Sequence, residues 1–187
     1  MSTAIFSPAA TATHATPTIA EACQAALCLS TNDLLRIAIV RGCDHYAPAI
    51  PAPSGADAEL DALPHEVLGA ALLQGERNEE TFSNIRCAAM VLGDLGNSPA
   101  KIAEAAAFFG VTSRLIHIAR LALSINDHPS YWTKIRNACP QAFITDEESS
   151  FLPGLSRLTM ETWSYSPPRK LIRTWLRTNI KNLTPAN

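Results

Sequence analysis

A chain of 187 residues, 47% hydrophobic and 17% charged, with a net charge of −2, carries enough apolar material for one packed core, so disorder throughout is excluded. Only 8 glycines and the scarcity of alternating β-branched runs argue against an all-β fold, and no apolar stretch approaches the roughly 18 residues of a membrane span. The N-terminus lacks the basic residues and apolar core of a secretory signal, and 5 cysteines without framework spacing fit a reducing compartment, so a cytoplasmic protein is expected.

In chain order, residues 1–17 contain no charged side chain and are rich in Ala, Thr, Ser and Pro, which predicts a disordered tail. Such a composition also occurs at the start of bacterial proteins exported into host cells, the alternative localisation. Thr18 to Leu29 predicts a helix with Ile19, Ala22, Cys23, Ala26 and Leu27 on one face. A second helix follows the Ser30–Asn32 punctuation and stops at Gly42, making residues 18–46 a helical hairpin. Residues 47–64 hold four of the 13 prolines and predict a linker or long loop.

The rest, 65–187, predicts a helical domain. His65 to Gln74 repeats Val67, Leu68, Ala71 and Leu72 at helical spacing. Asn78 is placed to cap a longer helix to Leu95, with Phe82, Ile85, Ala89 and Leu92 on its buried face. Ser98-Pro99 then opens a helix that ends at Gly110, the residue best able to adopt positive φ. Thr112 or Ser113 is placed to cap a second helix to Ser124, with Ala106 allowing a close crossing and Val111 and Ile116 filling the wedge. This is the spacing of a helix-turn-helix, although an ordinary helical hairpin has the same spacing. Asn126-Asp127 breaks the helix, Pro129 opens another, and Pro140 stops it. Further helices are expected at Leu155–Trp163 and over 167–181, the last with an apolar stripe of Leu171, Ile172, Trp175, Leu176 and Ile180. The expected fold class is an all-α multi-helix bundle containing a helix-turn-helix.

Net charge divides along the chain: residues 1–113 carry 5 basic and 12 acidic side chains, whereas 114–187 carry 10 basic and 5 acidic. An anionic partner would find its field over the second half, beginning at the second helix of the motif.

The succession GERNEETFSNIRCAAMVLGDL, AEAAAFFGVTS, RLIHIARLAL and NDHPSYWTKIRNA, over residues 77–139, resembles the helical DNA-binding part of ParB-like partition and plasmid-regulator proteins. The first 76 residues do not resemble that family's N-terminal domain, and its arginine-rich motif is absent, so no nucleotide-dependent activity is implied. The resemblance implies a duplex DNA partner, base-reading positions at Ser113, Arg114 and His117, and phosphate contacts from Lys101 and Thr112, with Arg120 a further candidate. Lys170, Arg173, Arg177 and Lys181, spaced as a helical stripe, are possible additional phosphate contacts. A homodimer is expected, since one such module buries little DNA surface.

Leu115, Ile116, Ile118, Leu121 and Leu123 make the second motif helix apolar on more than one face, and a helix apolar all round is usually buried. That pattern and the uncharged tail carry the alternative, a non-enzymatic interaction module (an effector or inhibitor) that occupies a partner protein. Cys23, Cys28, Cys43 and His45 have the residue types of a zinc site. The first two, five apart on a helix, diverge by about 140°, so core cysteines are expected and no metal. His65-Glu66 lacks the second histidine of a zinc protease, and no catalytic signature is present. No enzymatic activity and no cofactor are expected.

Overall fold

Helix α3 (His65–Leu72) is too apolar for a surface position, with every residue from Val67 to Leu72 buried, and the other helices assemble around it. The computed structural model describes residues 17–41, 43, 63–74, 79–139, 152, 159–163 and 171–175, without the side chains of 79–83 or of the last two segments. Within them, α1 (Ile19–Ala26), α2 (Thr31–Val40), α4 (Glu79–Leu92) and α5 (Pro99–Phe108) all pack against α3. Helices α6 (Thr112–Ser124) and α7 (Pro129–Ala138) pack on each other and both touch α5. The fold class is all-α, and no single helix among the described residues is long and apolar enough to cross a membrane. The expected tail 1–17 lies outside the described residues up to position 16, as does most of the linker 47–64.

Local chemistry sets the helix boundaries. Thr18 and Glu21 form a capping box on α1, the Thr18 N–H donating to the Glu21 carboxylate at 2.8 Å and the Glu21 N–H to the Thr18 hydroxyl at 3.3 Å. Ser30 and Asp33 repeat the arrangement on α2. The two helices are bent 119° from one another, and their apolar faces enter one continuous core. Leu27, expected on the buried face of α1, is 50% exposed because the helix ends at Ala26 and the backbone turns there.

Helices α3 and α4 cross at Gly69. A Cβ at that position would lie 2.5 Å from Cγ and Cδ2 of Leu92, so only glycine permits the approach. At the end of α4, two carbonyls receive side-chain donors, Val91 O in addition to the Asp94 N–H at 3.3 Å. Val91 O accepts from the buried Asn97 amide at 2.8 Å, and Leu92 O from the Tyr131 hydroxyl at 2.6 Å. The indole of fully buried Trp132 donates to Asp127 Oδ2 at 2.7 Å.

After α7 the fold departs from the sequence expectation. Residues 159–163 and 171–175 form β1 and β2, paired antiparallel in register from Thr159 opposite Trp175 to Trp163 opposite Leu171. The helices expected at 155–163 and 167–181 are therefore not formed over these residues, and the stripe through Leu171, Ile172 and Trp175 does not exist. Both segments, TMETW and LIRTW, are rich in β-branched and aromatic residues, which favour a pleated strand. Lys170, Arg177 and Lys181 lie outside the described residues.

Candidate nucleic-acid interface

The turn between α5 and α6 is built as the spacing predicts. Gly110 has φ +68°, its N–H donates to Ala107 O at 3.1 Å, and the Val111 N–H donates to Ala106 O at 2.9 Å. These are the two bonds of a Schellman motif. Ala106, Val111 and Ile116 are buried at the junction. The end of α6 repeats the motif with Asn126 at φ 57°, where the Asp127 N–H donates to Ala122 O at 2.9 Å. The expected side-chain caps are absent. Ser98 occupies the N-cap of α5 without a side-chain bond, and its N–H instead donates to Glu66 Oε1 at 3.0 Å. Val111, not Thr112 or Ser113, is the N-cap of α6.

Helix α6 is amphipathic rather than apolar all round. Leu115, Ile116, Ile118, Ala119 and Ala122 enter the core, while Leu121 and Leu123 flank it half-buried. Ser113, His117, Arg120 and Ser124 follow the opposite face at offsets of four, three and four. Arg120 and Ser124 are exposed; Ser113 and His117 are half-buried and each is engaged by an interaction within the molecule. Thr112 is half-buried in the first turn of α6, and Lys101 is exposed in the first turn of α5.

Arg114 has a different environment. Its guanidinium donates to the carbonyl of Leu73, the C-cap of α3, placing positive charge at the negative end of that helix. Sequence reasoning missed this role, since no local signal links positions 41 residues apart.

Among the described residues, Lys101, Arg120, Lys134 and Arg136 are the exposed cationic side chains, and all four lie on α5–α7. Arg36, Arg41 and Arg86, on or beside the earlier helices, are half-buried. Along α5–α7 and the turns between them the carboxylates are Glu104 and Asp127, and Asp127 is bonded to the Trp132 indole. Over this stretch basic side chains therefore outnumber acidic ones.

Three buried thiols are held in the protonated form by their environment. Burial, with a smaller push from the Glu104 carboxylate, raises the Cys23 thiol to about 11. Cys87 is raised by a hydrogen bond with Cys43 and by burial, and Cys139 by burial. These thiols stay protonated and are poor nucleophiles or metal ligands. Cys28, expected in the core, is exposed. His65 is held down to about 4 by burial first and then by the Arg41 charge, so it is neutral near pH 7. No group of three or more His, Cys, Asp or Glu able to hold a metal occurs among the described residues. A cavity of about 90 Å³ lined by Leu27, Leu29, Leu34, Gln74 and Asn84 is far below the several hundred Å³ of a typical substrate pocket.

Comparison with known proteins finds no matching family model, curated protein or solved structure.

Proposed function

We propose that this protein binds duplex DNA through α6 and the helices packed beside it, as a dimer, in the regulatory role that the resemblance to ParB-like proteins implies. The observation that carries the reading is that, among the described residues, the exposed cations Lys101, Arg120, Lys134 and Arg136 all lie on α5–α7. Arg120 and His117 on the outer stripe of α6 read base edges or phosphates, with Ser113 and Thr112 near the start of that helix supplying hydroxyls to phosphate oxygens. Arg114 is a positioning residue that fixes α6 against α3 and does not itself grip DNA.

The test is a fluorescence-anisotropy titration of a labelled duplex at several salt concentrations. Each phosphate contact contributes about 0.9 to the slope of log affinity against log salt, so Lys101→Ala with Arg120→Ala flattens the slope by about 2. Salt-independent binding, or a double variant that binds like wild type, ends the proposal.

The rival reading, an interaction module for a partner protein, is favoured by the exposure of Phe108 (43%) and Leu27 (50%) at the ends of α5 and α1. It predicts that Phe108→Ser abolishes partner binding, whereas DNA binding through α6 tolerates that change.

A further inference from the structure

We infer that α3 is the strut that sets the angle between the two helices of the motif, and that Glu66 is the positioning residue that holds α5 as Arg114 holds α6; this rests on the reading of the protein as a duplex binder. The two bonds lie at opposite ends of one buried helix. At its N-terminal end, the N–H of Ser98, the N-cap of α5, donates to Glu66 Oε1 at 3.0 Å. At its C-terminal end, the guanidinium of Arg114, in the first turn of α6, donates to Leu73 O. The 8 residues of α3 span about 12 Å at about 1.5 Å per residue, and both motif helices are fastened to it near their own N-termini.

Helix α5 cannot complete its own start. A capping box would place Glu or Gln at the third helical position, but that position holds Lys101, which has no acceptor. Glu66, 32 residues earlier in the chain, supplies the missing carboxylate and puts negative charge at the positive end of the α5 dipole. Arg114 does the converse at the negative end of α3.

Packing leaves the motif angle to these bonds. Interdigitating ridges along a helix contact set its crossing angle. Helix α5 meets α3 far more extensively than it meets α6, and α6 packs mainly on α7. The strut is itself immobilised, since every residue from Val67 to Leu72 is buried and α4 closes on it at Gly69.

A duplex held by α6 and by Lys101 on α5 needs one relative orientation of the two helices. Without the Glu66 bond the protein divides among several, and affinity falls with the fraction that stays competent. The competent form makes the same phosphate contacts, so the salt slope does not change. A carboxylate acting only through its charge has the opposite effect, because removing it would tighten the hold on a polyanion.

The experiment uses the full chain and two measurements. Double electron–electron resonance without DNA reads the distance between nitroxides at Ala100→Cys on α5 and Ser124→Cys on α6. The background is Cys28→Ser, the other four cysteines being buried. Anisotropy with a labelled duplex at several salt concentrations reads affinity on the unlabelled chain. Glu66→Ala removes the acceptor, whereas Glu66→Gln keeps an acceptor and loses the charge. Ser98→Pro removes the same bond from the donor side, at a φ of −84° close to that of proline. Circular dichroism checks that each variant is folded.

Glu66→Ala and Ser98→Pro are expected to broaden the distance distribution and to weaken duplex binding about fivefold or more, with the salt slope of wild type. Glu66→Gln is expected to restore the narrow distribution and most of the affinity. A distribution that stays narrow in both Glu66→Ala and Ser98→Pro shows that α3 is not the strut. Tighter duplex binding by Glu66→Ala, or a Glu66→Gln variant that behaves like it, shows that charge is acting and removes the positioning role. Broadening in Glu66→Ala and recovery in Glu66→Gln, in a protein whose wild type does not bind duplex, leaves the strut standing and ends the duplex reading.

Discussion

The guanidinium of Arg114, in the first turn of α6, donates to the backbone carbonyl of Leu73, the C-cap of α3. The bond joins the candidate recognition helix to the most buried helix of the core. It also satisfies one of the terminal carbonyls that a helix leaves without an internal partner. The orientation of α6 relative to the core thus depends on a side chain that a DNA-binding motif would assign to base recognition.

Arg114→Met removes that charged donor, keeps the aliphatic stem and leaves the Leu73 carbonyl short of a partner. Hydrogen bonds to charged groups contribute about 1.5–3 kcal/mol, and the partly buried setting puts this one near the lower end. Urea unfolding is expected to show a loss of about 1–2 kcal/mol, while the salt slope of duplex binding stays that of wild type. A flattened slope with unchanged stability would return Arg114 to the DNA.

Gly69→Ala forces a methyl carbon to within 2.5 Å of the Leu92 side chain on α4. Overpacking of a close helix crossing costs about 1–3 kcal/mol. Leu92→Ala opens a cavity when introduced alone, and is expected to offset part of the Gly69→Ala loss when the two are combined. Additive losses in the double-mutant cycle would show that the helices do not meet at this pair.

His65 makes stability depend on pH in a defined window. The unfolded chain takes up a proton near the ordinary value of 6.5, whereas burial and the Arg41 charge delay uptake in the folded protein to about 4. Between these values the unfolded state binds more protons, so stability is fully present above about pH 6.5 and is lost as pH falls to about 4. Asp94 and Glu66 act in the opposite direction but do not overcome burial. His65→Gln is expected to flatten the unfolding free energy across that window, measured by urea denaturation at successive pH values; an unchanged slope would place the titration elsewhere.

Much of the helical order is legible in the amino-acid pattern because its determinants lie within four residues of one another. The boundaries of α1 and α2 follow from Thr18-x-x-Glu21 and Ser30-x-x-Asp33, whose side chains and backbone groups meet once one turn forms. Gly110 and Asn126 mark the ends of α5 and α6 because positive φ is sterically cheap for glycine and tolerable for asparagine. Pro99 and Pro129 open helices where a missing N–H loses no bond.

The C-terminal strands are the clearest failure of that local logic. Leu171, Ile172 and Trp175 fit a helical stripe as well as a strand, since a five-residue apolar run has too few positions to separate a period of 3.6 from one of 2. Pairing with Thr159–Trp163 settles the choice, and that partner lies outside the five-residue window that a local pattern reads.

By itself the sequence determined the all-α character of the described chain through residue 138 and the glycine turn of the motif, since each depends on propensity, capping and periodicity over one or two turns. Only the tertiary structure decided which polar side chains of that motif face outward. Arg114 is drawn to Leu73, Tyr131 to Leu92 and Asn97 to Val91 because buried helix ends need donors for their last carbonyls. Two of those donors come from 39 or more residues away, at distances that only the packed chain defines.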